Sequence, residues 1–121
     1  MRTMLVRGLC AASLLLAAAA SASADDNYGA FAFSQDTGAY GYNYDYGSRG
    51  SAEEDALNRC GGGCTVVPWF KNACGALAAG KGHGYGTGWA DNRSDAEETA
   101  MSNCEERTDD CKLLAWACTT R

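Results

Sequence analysis

The chain has 121 residues, 46% hydrophobic and 21% charged, with 15 Gly, one Pro, seven Cys and a formal charge of −5. A chain of this length holds one small domain and not two. Its acidity argues against electrostatic binding of nucleic acid, which depends on Lys and Arg neutralising phosphates, and against an anionic membrane surface.

Residues 1–24 read as a secretory signal peptide. Arg2 and Arg7 stand in front, an apolar run extends from Leu9 to Ala20, and Ala22-Ser23-Ala24 fits the A-x-A cleavage pattern. The run is interrupted and shorter than the roughly 20 apolar residues of a transmembrane helix, so no stable membrane anchor is expected after cleavage. The rest of the chain reads as a single domain of residues 25–121 with a formal charge of −7, exported to the periplasm or secreted. Cys10 lies in the leader and precedes the apolar stretch, the wrong order for a lipoprotein anchor. Six cysteines remain, Cys60, Cys64, Cys74, Cys104, Cys111 and Cys118, and an even count in a short exported chain predicts a disulfide framework. Cys60-Gly-Gly-Gly-Cys64 also has ligand-like spacing. Zinc usually takes two such close pairs, however, and an oxidising compartment competes for the thiols.

In chain order the first elements are two aromatic-rich strands, Tyr28–Ser34 and Ala39–Tyr46, joined by the turn Gln35-Asp36-Thr37-Gly38. A helix follows Ser51, with Glu54 placed to complete a capping box. Ala52, Ala56, Leu57 and Cys60 share one face of that helix and meet a sheet, while the acidic positions between them point to water. The next strand, Thr65–Phe70, is nearly all apolar. Pro68 is its misfit, because proline in a strand favours an edge or a bulge.

The remainder repeats this order. Tyr28-Gly-Ala-Phe-Ala aligns with Cys74-Gly-Ala-Leu-Ala, Tyr40-Gly-Tyr with Tyr85-Gly-Thr, and Arg49 with Arg93. The helix residues Ala52, Ala56, Leu57 and Cys60 align with Ala96, Ala100, Met101 and Cys104, and Cys64-Thr-Val-Val-Pro-Trp69 with Cys111-Lys-Leu-Leu-Ala-Trp116. Ser94 with Glu97, or Asp95 with Glu98, offers the second helix a capping box. The reading is an α+β domain of two ββαβ half-repeats, residues 28–73 and 74–121, forming antiparallel sheet with two helices against it. Equivalent positions suggest the bridges Cys60–Cys64 and Cys104–Cys111, each joining a helix end to the next strand, and leave Cys74 for Cys118.

Several stretches resemble a known family. Tyr28-Gly-Ala-Phe-Ala-Phe-Ser, Ser48-Arg49 before an Ala/Glu helix, Trp69-Phe70-x-Asn72-x-Cys74-Gly75-Ala76-Leu77-Ala78 and Leu114-Ala115-Trp116-Ala117-Cys118 are similar to the bacterial domain-of-unknown-function family 4189, from Tyr28 to the C-terminus. The resemblance implies a small exported bacterial protein and carries over no catalytic residue, cofactor or substrate.

The remaining motifs give little support to catalysis. Gly75-Ala-Leu-Ala-Ala-Gly80-Lys81 starts like a P-loop, but Gly82 stands where a metal-binding Ser/Thr belongs and no helix follows. His83 is the only histidine, which excludes a His-based metal cage, and no serine sits in a nucleophile elbow. Glu53, Glu54, Asp55, Glu97 and Glu98 crowd helix N-termini, where the dipole favours negative charge. Asp91-Asn-Arg-Ser-Asp95 lacks the spacing of a calcium loop. No cofactor, metal or catalytic residue is expected.

Tyr40, Tyr42, Tyr44 and Tyr46 stand at strict period two and share one strand face, opposite Gly41, Asn43 and Asp45. Aromatic strands normally bury one face, so a core role is the first expectation. If the face is open, its amphipathic rings form a binding surface. Strand twist suggests a division, with central rings buried and those toward the ends open. The expected function is that of an exported, non-enzymatic binding or interaction protein whose partner is a protein or glycan and not nucleic acid. A secreted hydrolase using Asp/Glu residues and a structural cell-envelope component are the alternatives.

Overall fold

Alternation and turn chemistry set up the first hairpin. β1 (Tyr28–Phe33) and β2 (Tyr40–Tyr46) are followed by α1 (Arg49–Cys60) and β3 (Thr65–Lys71). The same order returns as β4 (Cys74–Ala79), β5 (Tyr85–Ala90), α2 (Arg93–Glu105) and β6 (Lys112–Cys118), with a short 3-10 turn at Lys81–His83. The computed structural model describes residues 26–120; the expected signal peptide, its expected cleavage site and Cys10 lie outside the described residues.

Both helices begin earlier than the capping boxes suggest. Ser48, in extended conformation, caps α1 by accepting from the Ser51 N–H, so Ser51 is the donor and not the cap. Asn92 caps α2 in the same way, accepting from the Asp95 N–H. A short polar side chain three residues ahead satisfies an orphan N–H directly, and both helices start at an arginine, Arg49 and Arg93.

The six strands divide into two three-stranded antiparallel sheets, ordered β2-β1-β3 and β5-β4-β6. The α+β reading with two helices and three disulfides holds; the strands make two sheets because the central strands are apolar on both faces. Ala30 and Ala32 of β1 pack against Ala52 and Ala56 of α1, while Phe31 and Phe33 point the other way. One helix covers one face, so the second face needs a second sheet. The sheets therefore stack, with β1 against β4 and β2 against β6, and the helices lie outside. Phe31, Phe33, Phe70, Leu77, Ala115 and Ala117 form the core between them.

Small residues let the helices lie close. A Cβ on Gly41 would stand 2.5 Å from the Cys60 nitrogen, and one on Gly86 2.1 Å from the Cys104 nitrogen. Glycine is required where two main chains approach this closely. Pro68 lies on an edge strand where the register slips between Ala30 and Ala32, so its missing N–H falls at an irregularity.

Disulfides join Cys60 to Cys64, Cys104 to Cys111 and Cys74 to Cys118. Two further contacts lock the halves together. His83 Nδ1 is hydrogen-bonded to the Gln35 carbonyl at 2.9 Å across the tips of the two hairpins. At the other end Thr120 donates to Asp45, from its N–H at 2.9 Å and from its hydroxyl at 2.5 Å.

Candidate functional site

β2 is an edge strand, and its position decides what its tyrosines do. Gly41 and Asn43 face α1, and Tyr40, Tyr42 and Tyr44 project from the opposite face with 40%, 37% and 48% of their surface exposed. The core role expected for them fails because β1 already fills the space between the sheets. Phe31 occupies that core, and Tyr42 stacks on its ring at 5.5 Å, which leaves the outer side of the tyrosine open.

Tyr46 does not share their face. Tyr28 pairs with Tyr46 but Ala30 pairs with Asn43, so one extra residue is inserted at Tyr44–Asp45, and Asp45 takes a φ of 62°. A bulge of one residue reverses the side-chain alternation, and Tyr46 packs on the α1 side among Tyr28 and Leu57. The period-two row thus holds for three of the four rings, and the division falls at the bulge rather than between centre and ends.

Asn43 repairs the ladder that the bulge interrupts. Its Oδ1 accepts from the Ala30 N–H at 3.1 Å, and its Nδ2 donates to the Ala52 carbonyl and to Asp55 Oδ2, both at 2.8 Å. Burial pushes the Asp55 carboxyl up, but hydrogen bonds from Asn43, Tyr46 and Arg59 outweigh it and hold the group below its usual value. This buried network anchors β2 to α1 beneath the exposed rings.

Two concavities share Tyr42 and Tyr44. One, of about 510 Å³, runs along β2 from Tyr40 to Tyr46 with Arg59 at its side. The other, about 550 Å³, lies between β2 and β6, and the consecutive residues Leu114 to Thr120 form its second wall. On the opposite edge of the molecule Trp69, Phe70, Lys71 and Trp89 line a smaller cleft of about 290 Å³.

β3 and β6 are rich in apolar residues, yet Trp69 and Trp116 on them are exposed. Trp69 and Trp116 lie on edges, each beneath an arginine: Arg49 at 4.5 Å from the Trp69 ring centre and Arg93 at 3.7 Å from that of Trp116. Trp89 is 64% exposed. The signal was present in the sequence as the paired equivalences Arg49/Arg93 and Trp69/Trp116.

Three of the five carboxylates considered for catalysis are engaged in ion pairs. Glu53 pairs with Arg49, Glu97 with Arg93, and Asp55 with Arg59. The P-loop-like stretch is β4 followed by the 3-10 turn, and it leads into β5 instead of opening an α-helix. Among the described residues no three His, Cys, Asp or Glu side chains converge as a metal site, and no helix is long and apolar enough to cross a membrane.

A family model described as a domain of unknown function (DUF4189) matches residues 28–118, which is β1 through β6. Protein Rv1269c of Mycobacterium tuberculosis and Protein Mb1300c of Mycobacterium bovis are each 46% identical to this chain over 59 residues, 48% of this chain and 46% of theirs. The chain thus matches about half the length of these curated relatives. The NMR structure of Rv1813c from Mycobacterium tuberculosis is similar with a TM-score of 0.59 and 29% identity, over 76% of this chain and 74% of that one.

Proposed function

The chain belongs to the DUF4189 family, and from that premise we propose that it is an exported, non-enzymatic binding module that takes its partner on Tyr40, Tyr42 and Tyr44. The observation that carries this reading is the row of three part-exposed tyrosine rings on an edge strand, bordered by two grooves. Tyrosine offers an apolar ring and a hydroxyl with few rotatable bonds, which suits recognition surfaces. The Asn43 network beneath holds the row in place without using the rings. Three disulfides suit an oxidising compartment, and with residues 1–24 acting as a leader the mature domain starts at Asp25.

Asp55, Glu53 and Glu97 are poorly placed to act as a hydrolase's acid. A catalytic acid must stay protonated near neutral pH. Asp55 is held in the opposite direction, and Glu53 and Glu97 are ion-paired on helix surfaces.

The test is capture from envelope extract and culture medium with oxidised protein, comparing wild type with Tyr42→Ser and Tyr44→Ser. Truncation of rings in a binding face should weaken capture at least tenfold, while stability falls by about 1 kcal/mol for Tyr44→Ser and by about 2 kcal/mol for Tyr42→Ser, whose ring stacks on Phe31. Undiminished capture by both variants would overturn the reading.

A further inference from the structure

The bulge in β2 is not a demand of the fold. Tyr40 and Tyr85 are repeat equivalents, as are Arg49 and Arg93, yet the first interval is one residue longer. Gly29 alone stands between Tyr28 and Ala30, while Tyr44 and Asp45 both stand between the partners of those residues, Tyr46 and Asn43. In the second half Gly75, the equivalent of Gly29, pairs with Trp89 one to one. The same plan therefore builds its second strand without a bulge. The insertion is confined to the half that carries the tyrosine row.

A bulge interrupts the ladder and leaves its extra residue unpaired. The pairing with β1 takes in Tyr40 to Asn43 and resumes at Tyr46, so Tyr44, the most exposed ring of the row, sits on a stretch with no partner residue. Two polar anchors bracket it instead. On one side Asn43 ties the strand to the Ala52 carbonyl and to Asp55 of α1. On the other, Asp45 reaches the second sheet, where its carboxylate accepts from the Thr120 N–H at 2.9 Å and from the Thr120 hydroxyl at 2.5 Å. Asp45 holds a φ of 62°, the left-handed region that few residues other than glycine adopt and that Asp and Asn tolerate best.

The two ends of this clamp belong to the two walls of one groove. Tyr44, next to Asp45 along the chain, lies on the β2 wall, and Thr120 lies on the wall that continues from β6. We propose that Asp45 is a positioning residue of the tyrosine site: by holding Thr120 it fixes Tyr44 over the end of β6 and sets the opening between the two walls. The inference rests on the binding reading above and names what orders that site in advance.

A tie that served only to join the halves would need no insertion. At the opposite end His83 and Gln35 join the two hairpins from their turns, without interrupting a strand. Uncommon backbone conformations persist where the surrounding structure over-determines them, and they gather at functional sites. Bulges gather there too, where they re-aim a side chain. A ring already held in the free protein loses less freedom when a partner arrives, and for one side chain that saving amounts to a several-fold change in affinity.

The test uses oxidised protein and three variants. Asp45→Gly keeps the left-handed backbone accessible and removes the clamp. Asp45→Asn retains an oxygen to accept from the Thr120 N–H and an amide to donate to the Thr120 hydroxyl. Thr120→Pro lacks both donors and leaves residue 45 untouched. Nitrogen-15 relaxation should show the Tyr44 order parameter falling from about 0.85 to below about 0.6 in Asp45→Gly and in Thr120→Pro, with Tyr40 and Tyr42 unchanged and Asp45→Asn like wild type. In capture from envelope extract the two loosened variants should bind about threefold to tenfold more weakly, and Asp45→Asn should match wild type. Tyr44 equally ordered in both loosened variants would overturn the proposal. So would full capture by both while Tyr42→Ser and Tyr44→Ser lose the partner, in which case the tyrosine face stands without the clamp. If the tyrosine variants keep the partner, or wild type captures none, both readings fall.

Discussion

Arg93 holds its guanidinium 3.7 Å from the centre of the Trp116 ring while its Nε pairs with Glu97 one turn further along α2. Arg49, Trp69 and Glu53 repeat the arrangement in the first half. An arginine in the first turn of a helix opposes the helix dipole; stacking on an indole and pairing with a glutamate offset that. The stack also ties the start of each helix to an edge strand. Arg93→Ala should lower stability by about 0.5–1 kcal/mol, and Arg93→Lys should recover less than half, because an ammonium does not stack as a planar guanidinium does. A double-mutant cycle with Trp116→Leu in urea denaturation measures the coupling directly.

The glycines under the helices give a sharper effect. At Gly86 and Gly41 the obstruction to a Cβ is helix main chain, which cannot yield by a rotamer change. Gly86→Ala and Gly41→Ala should each cost about 3 kcal/mol or more. Gly50→Ala has open space around the new methyl group and should stabilise α1 by about 0.5–1 kcal/mol. Thermal melts of the three variants separate the two classes.

These cases also show what the amino-acid pattern discloses. Alternation along Tyr28–Phe33 and the Ala/Cys face of α1 are local, and both elements form where the pattern places them. Ser48 supplants Ser51 as cap because the two serines compete for one helix start, and the extended residue nearest the turn wins. The division into two sheets and the exposure of Tyr40, Tyr42 and Tyr44 depend on which strands end up at edges, and that is settled by contacts between distant segments. The displacement of Tyr46 follows from a bulge that needs both Asp45 in a left-handed conformation and an asparagine two residues earlier to take the freed Ala30 N–H.

Loop length ranks the three disulfides. Cys74–Cys118 spans a sequence separation of 44 residues, against 4 for Cys60–Cys64 and 7 for Cys104–Cys111. Loop-closure entropy assigns about 4 kcal/mol to the long bridge and roughly 2–2.5 to each short one. Replacing Cys74 and Cys118 together by alanine should therefore lower the free energy of unfolding by nearly twice as much as removing either other pair. Chemical denaturation of the three double variants checks the order.

Asp55 makes stability depend on acid. Its folded carboxyl is held below the ordinary value of 3.8, which the unfolded chain retains. Its contribution is complete above about pH 4 and is lost as the pH falls through the depressed folded value. Melting temperatures measured from pH 6 to pH 2 should show wild type and Asp55→Asn converging on the acid side. Asn43→Ala should lower stability at every pH, because it leaves the Ala30 N–H and the Ala52 carbonyl short of a partner in the interior.

The core between the sheets is unequally supplied. The first half brings Phe31, Phe33 and Phe70, and the second answers with Leu77, Ala115 and Ala117. Phe70 lies over glycines from both sides, close to where Cβ atoms on Gly29 and Gly75 would stand. Two copies of the first half pressed together would set ring against ring, and two copies of the second would leave a void, and both misfits are destabilising in a close-packed interior. Alike in plan, the halves are not interchangeable: bulk on one side is made for hollow on the other. Chains that exchanged halves with a neighbour could only rebuild the same mixed pairing.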